Sequence, residues 1–362
     1  MQQLERWSAS TARRMYTSAA RASGGGDRWE RDRPRRRRRG QEEGGGGRRK
    51  RRVWTPGLRE AQGDVLFGVH SVEAALRYGS RKKCHALLAL QNVDEDEDGS
   101  GGRGEGGATA SRAQATRERI ARLADAQSIP VKWLSRQEMN EFLPHSTQKL
   151  TVGGGVALDC APLDGISTVG SAADVTAMLA AVRGANRAKA GGGIKTDDST
   201  LDNDVIIFLD EVSDPRNMGA TLRSACYLGA AAVVISPKNS SPLSPVVSRA
   251  SAGALELLSA SGRLAYSHGP LPNLLKSLSE EASFDVVGTV LSGHNVVSLD
   301  SAQREGNTAI VFGSEGRGLR TMVRRACSTL VTMPPALGAG SIDSLNVSVA
   351  SALVMHRFLS QK

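Results

Sequence analysis

Five short runs of β-branched and bulky apolar residues recur through the second half of this 362-residue chain: VIIFL (205–209), AAVVI (231–235), FDVVGT (284–289), TAIVF (308–312) and TLVTM (329–333). Strands with one wet face alternate polar and apolar residues; runs that are apolar nearly throughout belong to strands covered on both faces. Stretches with helical spacing separate them, at 219–229, 245–259, 271–282, 318–326 and 344–359. This alternation predicts a doubly wound α/β domain over residues 204–362, built on a parallel sheet. Ligands in such sheets bind outside the carboxyl ends of the strands, so the loops leaving those ends are where chemistry is expected.

The first half is less uniform. LFGVHSVEAAL predicts a strand, a turn and a helix, with order beginning near Val65. HALLAL (85–90), Val131–Leu134 and Val156–Leu158 read as strands and Arg112–Ala126 as a helix, giving a small α/β domain over 65–163. A polar, glycine-rich insertion at 92–111 interrupts it and reads as a floppy surface loop. Residues 164–203 read as a linker with one weak helix, Ala172–Val182.

The net charge of +10 is placed unevenly. Residues 1–60 carry 18 Lys and Arg against 7 Asp and Glu, a balance of +11, while the remainder carries 29 against 30, a balance of −1. Any nucleic-acid surface on the folded part must therefore come from local placement of charge. The first twenty-odd residues are rich in Arg, Ser and Ala with one acid, Glu5, a composition that suits a mitochondrial transit peptide or a plain basic tail. RDRPRRRRRG and GGGGRRKRR cannot pack and are expected to be disordered, as a nuclear-type signal or a nonspecific RNA-binding arm. No apolar run reaches the roughly 18 to 20 residues that span a bilayer, so a soluble protein without a membrane is expected. Cys84, Cys160, Cys226 and Cys327 are far apart and form no CxxC pair, which argues against zinc ribbons and disulfide frameworks.

Three strand-to-helix loops stand out. In LDEVSDPRNMGATLRSA (209–225), Asp214-Pro215 makes a turn and Gly219 allows close entry into the next helix. Asn217 then lies at the helix start and Arg223 near its second turn, both within reach of one site. VFGSEGRGL (311–319) has Gly313, Gly316 and Gly318, which let a backbone approach a ligand closely, around Glu315. The order of its glycines is neither GxGxxG nor a P-loop. In MPPALGAGSIDSLNVSVASALVMHRFL (333–359), a Pro- and Gly-rich loop leads to a helix with Ser344 as N-cap and Asn346 in its first turn. Val347, Val349, Ala350, Leu353 and Val354 form the apolar face of that helix.

Taken together, DPRNMGATLRSA, IVFGSEGRGLR and MPPALGAGSIDSLNVSVASAL resemble, in order and spacing, the three motifs of the SpoU (TrmH) family of RNA 2′-O-ribose methyltransferases. The resemblance covers residues 205–359 strongly, and FGVHSVEAAL is similar to the opening of the family's L30e-like substrate-binding domain. It implies a SPOUT-like trefoil knot at the carboxyl end, a homodimer, and S-adenosyl-L-methionine bound bent among the loops around Thr289, Gly313–Gly318 and Met333–Leu345. By motif position it implies Thr289, Gly313, Gly316, Gly318, Met333 and Leu345 as cofactor contacts, and Asn217, Arg223, Glu315, Ser344 and Asn346 as the active-site set, with no metal. The long basic leader is similar to that of the mitochondrial branch, which implies a matrix enzyme acting on a guanosine of large-subunit rRNA. Where the family has a His-Gln-Gly turn, this chain has Gly153-Gly154-Gly155.

A sulfonium methyl is already activated, so the chemistry requires alignment and loss of the hydroxyl proton. The family proposal makes Arg223 the base, but a guanidinium holds its proton too strongly to be a ready one. Arg223 suits holding a phosphate and stabilising the forming alkoxide. Glu315 then orients Arg223 or Asn217, or takes the proton, while Ser344 and Asn346 fix the loop. Two other readings stay open: a tRNA ribose methyltransferase, and a non-catalytic RNA-binding factor of ribosome assembly with the same fold.

Overall fold

The computed structural model describes residues 61–91, 106–142, 154–189, 204–336 and 344–361. The basic leader (1–60), most of the 92–111 insertion, Gly153 and the 337–343 segment through which the implied knot would thread lie outside the described residues. Two sheets organise what is described.

The smaller sheet comprises β1 (Asp64–Phe67), β2 (Cys84–Leu90), β3 (Val131–Leu134) and β4 (Val156–Cys160) in the order β1-β4-β2-β3. Helices α1 (Val69–Tyr78) and α2 (Gly106–Asp125) cover one face through Val72, Leu76 and Ile120, and α3 (Arg136–Phe142) covers the other through Met139. Helix α2 starts within the segment expected to be a loop. Helix α3 was not expected, although Ser135 and Glu138 cap it reciprocally, an S-x-x-E box readable in the sequence.

The larger sheet is parallel throughout, with eight strands in the order β10-β12-β9-β11-β6-β7-β8-β5. The five expected strands are β6 (Val205–Leu209), β7 (Ala232–Ile235), β9 (Asp285–Thr289), β11 (Thr308–Phe312) and β12 (Thr329–Thr332). The additions are β5 (Ser167–Val169), β8 (Leu264–Ser267) and β10 (Val297–Ser298). Alternate residues of β6 feed two cores. Ile207 and Leu209 pack under α5 (Pro215–Leu228), α6 (Pro245–Ala250), α7 (Ala254–Ala260) and α10 (Val347–Leu359). Ile206 and Phe208 pack under α4 (Ala172–Lys189) and α8 (Leu271–Ala282). Helix α9 (Thr321–Arg325) follows β11 and seats Val323 on this second face. Cover on both faces is the doubly wound architecture, and it explains the apolar interiors of the central strands β6, β7 and β11.

Three expectations are corrected. Residues 164–203 were expected to be a linker, but β5 pairs with β8 at the sheet edge and α4 buries Val175 and Leu179 in the core. The helix expected at 245–259 is two helices, because Ala252 and Gly253 take left-handed conformations. At Gly253 an added Cβ would lie 2.6 Å from the Ala74 Cβ and 2.7 Å from the His70 carbonyl oxygen, so the break lets α1 approach. The last helix starts at Val347 rather than Ser344, since Asn346 is the capping residue.

The close fit expected at Gly219 is present, and its partner is α6. A Cβ there would sit 2.5 Å from the Ala250 Cβ and 2.8 Å from the Val247 carbonyl oxygen, with little room to give. Gly219→Ala is therefore expected to lower stability by about 1–3 kcal/mol. An unchanged urea midpoint would show that α5 and α6 can separate without cost.

Candidate active site

Because every strand is parallel, β12, β9, β11 and β6 end side by side at one edge of the sheet. Register aligns Leu209 with Phe312, Val311 with Gly288 and Thr289 with Val331. Thr289, Gly313, Met333 and Asp210 thus come from four adjacent strand ends. The Thr289 hydroxyl donates to the Val311 carbonyl (3.1 Å), which ties β9 to β11 at that edge.

Two helix starts meet above it. Asp214 caps α5 by accepting from the backbone N–H groups of Arg216 (2.6 Å) and Asn217 (3.3 Å), with Pro215 at the first helical position. Asn346 caps α10, its Oδ1 accepting from the Ser348 N–H (2.9 Å) and hydroxyl (2.6 Å). The two helices run side by side, and one turn further in the buried hydroxyls of Thr221 and Ser351 lie 3.3 Å apart.

Side-chain amides link these helix starts to the glycine loop in one direction. The cap engages Asn346 Oδ1, so its Nδ2 donates to Asn217 Oδ1 (3.1 Å). That leaves Asn217 Nδ2 to donate to Glu315 Oε1 (3.1 Å). The backbone cap therefore sets the orientation of both amides. The chain ends on a carboxylate beside two helix N-termini, where the aligned peptide dipoles favour negative charge.

Glu315 rides on a tight loop. Ser314 and Gly318 exchange backbone hydrogen bonds (3.1 and 2.9 Å), and Gly318 takes φ +66°. The loop folds back so far that a Cβ on Gly313 would lie 2.3 Å from the Gly318 carbonyl carbon. Chain packing itself thus requires glycine at 313. Among the described residues, nothing lies within 4 Å of a Cβ built on Gly316 or Gly318.

The structure joins Asn217, Glu315 and Asn346 directly and leaves Arg223 apart. Arg223 lies six residues beyond Asn217, about 240° round the helix and about 9 Å along it. It is exposed, on the helix face shared by Arg216 and Tyr227, and makes no hydrogen bond or ion pair among the described residues. Ser344 and Leu345 are exposed ahead of the α10 cap, and Met333 packs partly against the core.

Sequence reasoning missed four residues here. Asp210, fully buried, receives both sides of the Arg320 guanidinium, with Arg320 Nε donating over 2.9 Å. Glu211 lies 3.6 Å from the same Nε and accepts from Asn239 Nδ2 (3.0 Å). The available signal was an acid pair directly after a fully apolar strand. Its basic partner is 110 residues away, so nothing local could pair them.

Among the described residues, no His, Cys, Asp and Glu side chains gather as metal ligands would, and no helix is long and apolar enough to cross a membrane. Beside this edge, Met333 follows the end of β12 and Leu345 is half-exposed ahead of the α10 cap.

Comparison with known proteins bears on the family and the fold. Residues 204–356 match the SpoU rRNA Methylase family. This segment is a SpoU methylase domain. The chain is 32% identical over 260 residues to the human "rRNA methyltransferase 1, mitochondrial", covering 69% of this chain and 64% of that protein. It is 29% identical over 307 residues to a "23S rRNA (guanosine-2'-O-)-methyltransferase" of Pseudomonas syringae, covering 83% of this chain and 97% of that one. Among solved structures, the SpoU methyltransferase AviRb from Streptomyces viridochromogenes with bound AdoMet superposes with a TM-score of 0.53. That match has 17% identity and covers 82% of this chain and 89% of that one, a likeness of fold.

Proposed function

We propose that this chain transfers the methyl group of S-adenosylmethionine to a ribose 2′-hydroxyl of a guanosine in mitochondrial large-subunit rRNA. The observation that carries this reading is the Glu315–Asn217–Asn346 chain, set at the carboxyl edge of a SpoU methylase domain. Gly313, Gly316, Gly318, Thr289, Met333 and Leu345 would hold the donor. When bound it supplies an electrophilic methyl group. The chain's own residues then align the acceptor and deal with its proton. Glu315 has one carboxylate oxygen engaged by Asn217, and the other is available to the incoming hydroxyl. Asn217 has both ends of its amide occupied and serves to orient Glu315. Arg223, on the exposed face of α5, suits a phosphate of the RNA.

The reading extends to three further features. The domain at 65–163 is the RNA-binding module, by the similarity of FGVHSVEAAL to the opening of the family's L30e-like domain. The leader is a transit peptide that delivers the protein to the matrix, in line with the mitochondrial name of the human relative. The active form is a homodimer. Val349 and Leu353, one turn apart on α10, stay 49% and 48% exposed, although both were expected on the buried face. A second copy of the chain covers such a pair. Leu353→Asp is expected to shift the protein to monomer in sedimentation velocity, and a persistent dimer would move the interface elsewhere.

Mapping ribose methylation across mitochondrial rRNA with and without this protein tests the function. One guanosine of the large-subunit rRNA is expected to lose its 2′-O-methyl group. An unchanged map with a lost tRNA mark would replace the substrate, and no lost mark at all would remove the activity.

A further inference from the structure

We infer that Arg320, through its pairing with Asp210, is a positioning residue that closes the Glu315 loop into its working shape. The inference rests on the functional reading above and extends it to residues outside the active-site set. Asp210 holds the loop at both ends. Its backbone N–H donates to the Phe312 carbonyl where the chain leaves β11 (2.8 Å), and its carboxylate takes the Arg320 guanidinium where the loop rejoins regular structure. The seven residues from Gly313 to Leu319, Glu315 among them, hang between two anchors on one buried residue.

The anchor is itself braced. Glu211 takes φ +58° and Asn239 φ +56°, a region non-glycine residues rarely adopt, and the two are joined by a 3.0 Å hydrogen bond. Left-handed residues of this kind persist where the surroundings dictate them, and they concentrate at functional sites. The result places a second carboxylate beside the guanidinium, so Arg320 meets negative charge from two directions while a third of its side chain stays open to solvent. A planar guanidinium engaged bidentately fixes orientation as well as distance, which a lysine ammonium in its place would not do. Gly313 completes the device, since the fold-back it permits leaves the loop no width in which to relax.

Arg320→Gln, with Arg320→Lys as the conservative variant, separates positioning from general structural support. Calorimetric titration with S-adenosylmethionine is expected to show Kd raised by about tenfold or more in Arg320→Gln, as loss of a charged hydrogen-bonded pair would give. Its kcat should fall as well while its Kd for RNA stays within about twofold, and Arg320→Lys should recover part of both losses. Amide exchange should quicken in residues 313–319 of Arg320→Gln and stay unchanged in β6 and β11. A wild-type protein that binds the donor alongside an Arg320→Gln variant that binds it equally well overturns this inference alone. So does exchange that quickens throughout the sheet, which would make the pair mere structural support. A wild-type protein that binds no donor overturns the functional reading with it.

Discussion

Glu315→Ala is expected to lower the rate of methyl transfer to RNA by about a hundredfold or more, the scale on which a positioned proton-handling group contributes. RNA affinity and dimer formation should be unaffected, because Glu315 is exposed and its side-chain hydrogen bond among the described residues runs to Asn217. The loss has two possible sources, and a second variant distinguishes them. Glu315→Gln keeps an oxygen that can accept from Asn217 Nδ2 but cannot take a proton. If the carboxylate receives the hydroxyl proton, Gln should be as poor as Ala. If Glu315 serves to hold Asn217 and the two helix starts in place, Gln should recover most of the rate. Single-turnover kinetics with saturating donor give the comparison, and a fully active Glu315→Ala would remove this residue from the mechanism.

The largest effect on stability is expected far from that edge, where the two sheets' domains meet. Arg81 follows α1 of the small domain, and Glu256 lies in the first turn of α7 under the large sheet; both side chains are fully buried. Arg81 donates to both carboxylate oxygens of Glu256 (2.7 and 3.0 Å) and to Asp64 (3.0 Å). The hydroxyls of Ser80 and Ser248 satisfy the remaining lone pairs of Glu256, the latter at 2.9 Å. Nearby, Arg249 stacks on the Phe67 ring at 5.3 Å from its centroid. Glu256→Ala strands a buried guanidinium with only Asp64 as a charge partner, and it should cost about 3–5 kcal/mol. Glu256→Gln, which keeps the acceptors and loses the charge, should cost less. Because the pair spans both domains, the Ala variant should also split a single thermal transition into two. A single, unshifted transition would mean that the domains associate without this contact.

Much of the fold was legible because five of its strands are covered on both faces and so have centres written in apolar residues, with polar ones mainly at their ends. The strands that escaped lack that signature. LAYS at β8 mixes small and polar residues, and β5 and β10 have three and two residues. Position 346 was legible as a site and misread as structure. Ser344 and Asn346 are both good caps, and only the packing of α10 against α5 selects Asn346, whose amide then serves Asn217 as well. Glu315 and Asn217 could be named from motifs, yet their direct hydrogen bond joins residues 98 apart and depends on the order of β11 and β6 in the sheet. Arg223 shows the converse. Nearness in sequence suggested a shared site with Asn217, but helical geometry turns the two to different faces.

Purified protein, labelled S-adenosylmethionine and large-subunit rRNA carrying a single 2′-deoxy substitution at the mapped guanosine test the central claim most directly. The account predicts transfer of about one label per unsubstituted RNA and none to the deoxy form, with equal binding of the two. Transfer to that same nucleotide despite the deoxy substitution would place the methyl group on its base, and would contradict a site built around a ribose hydroxyl.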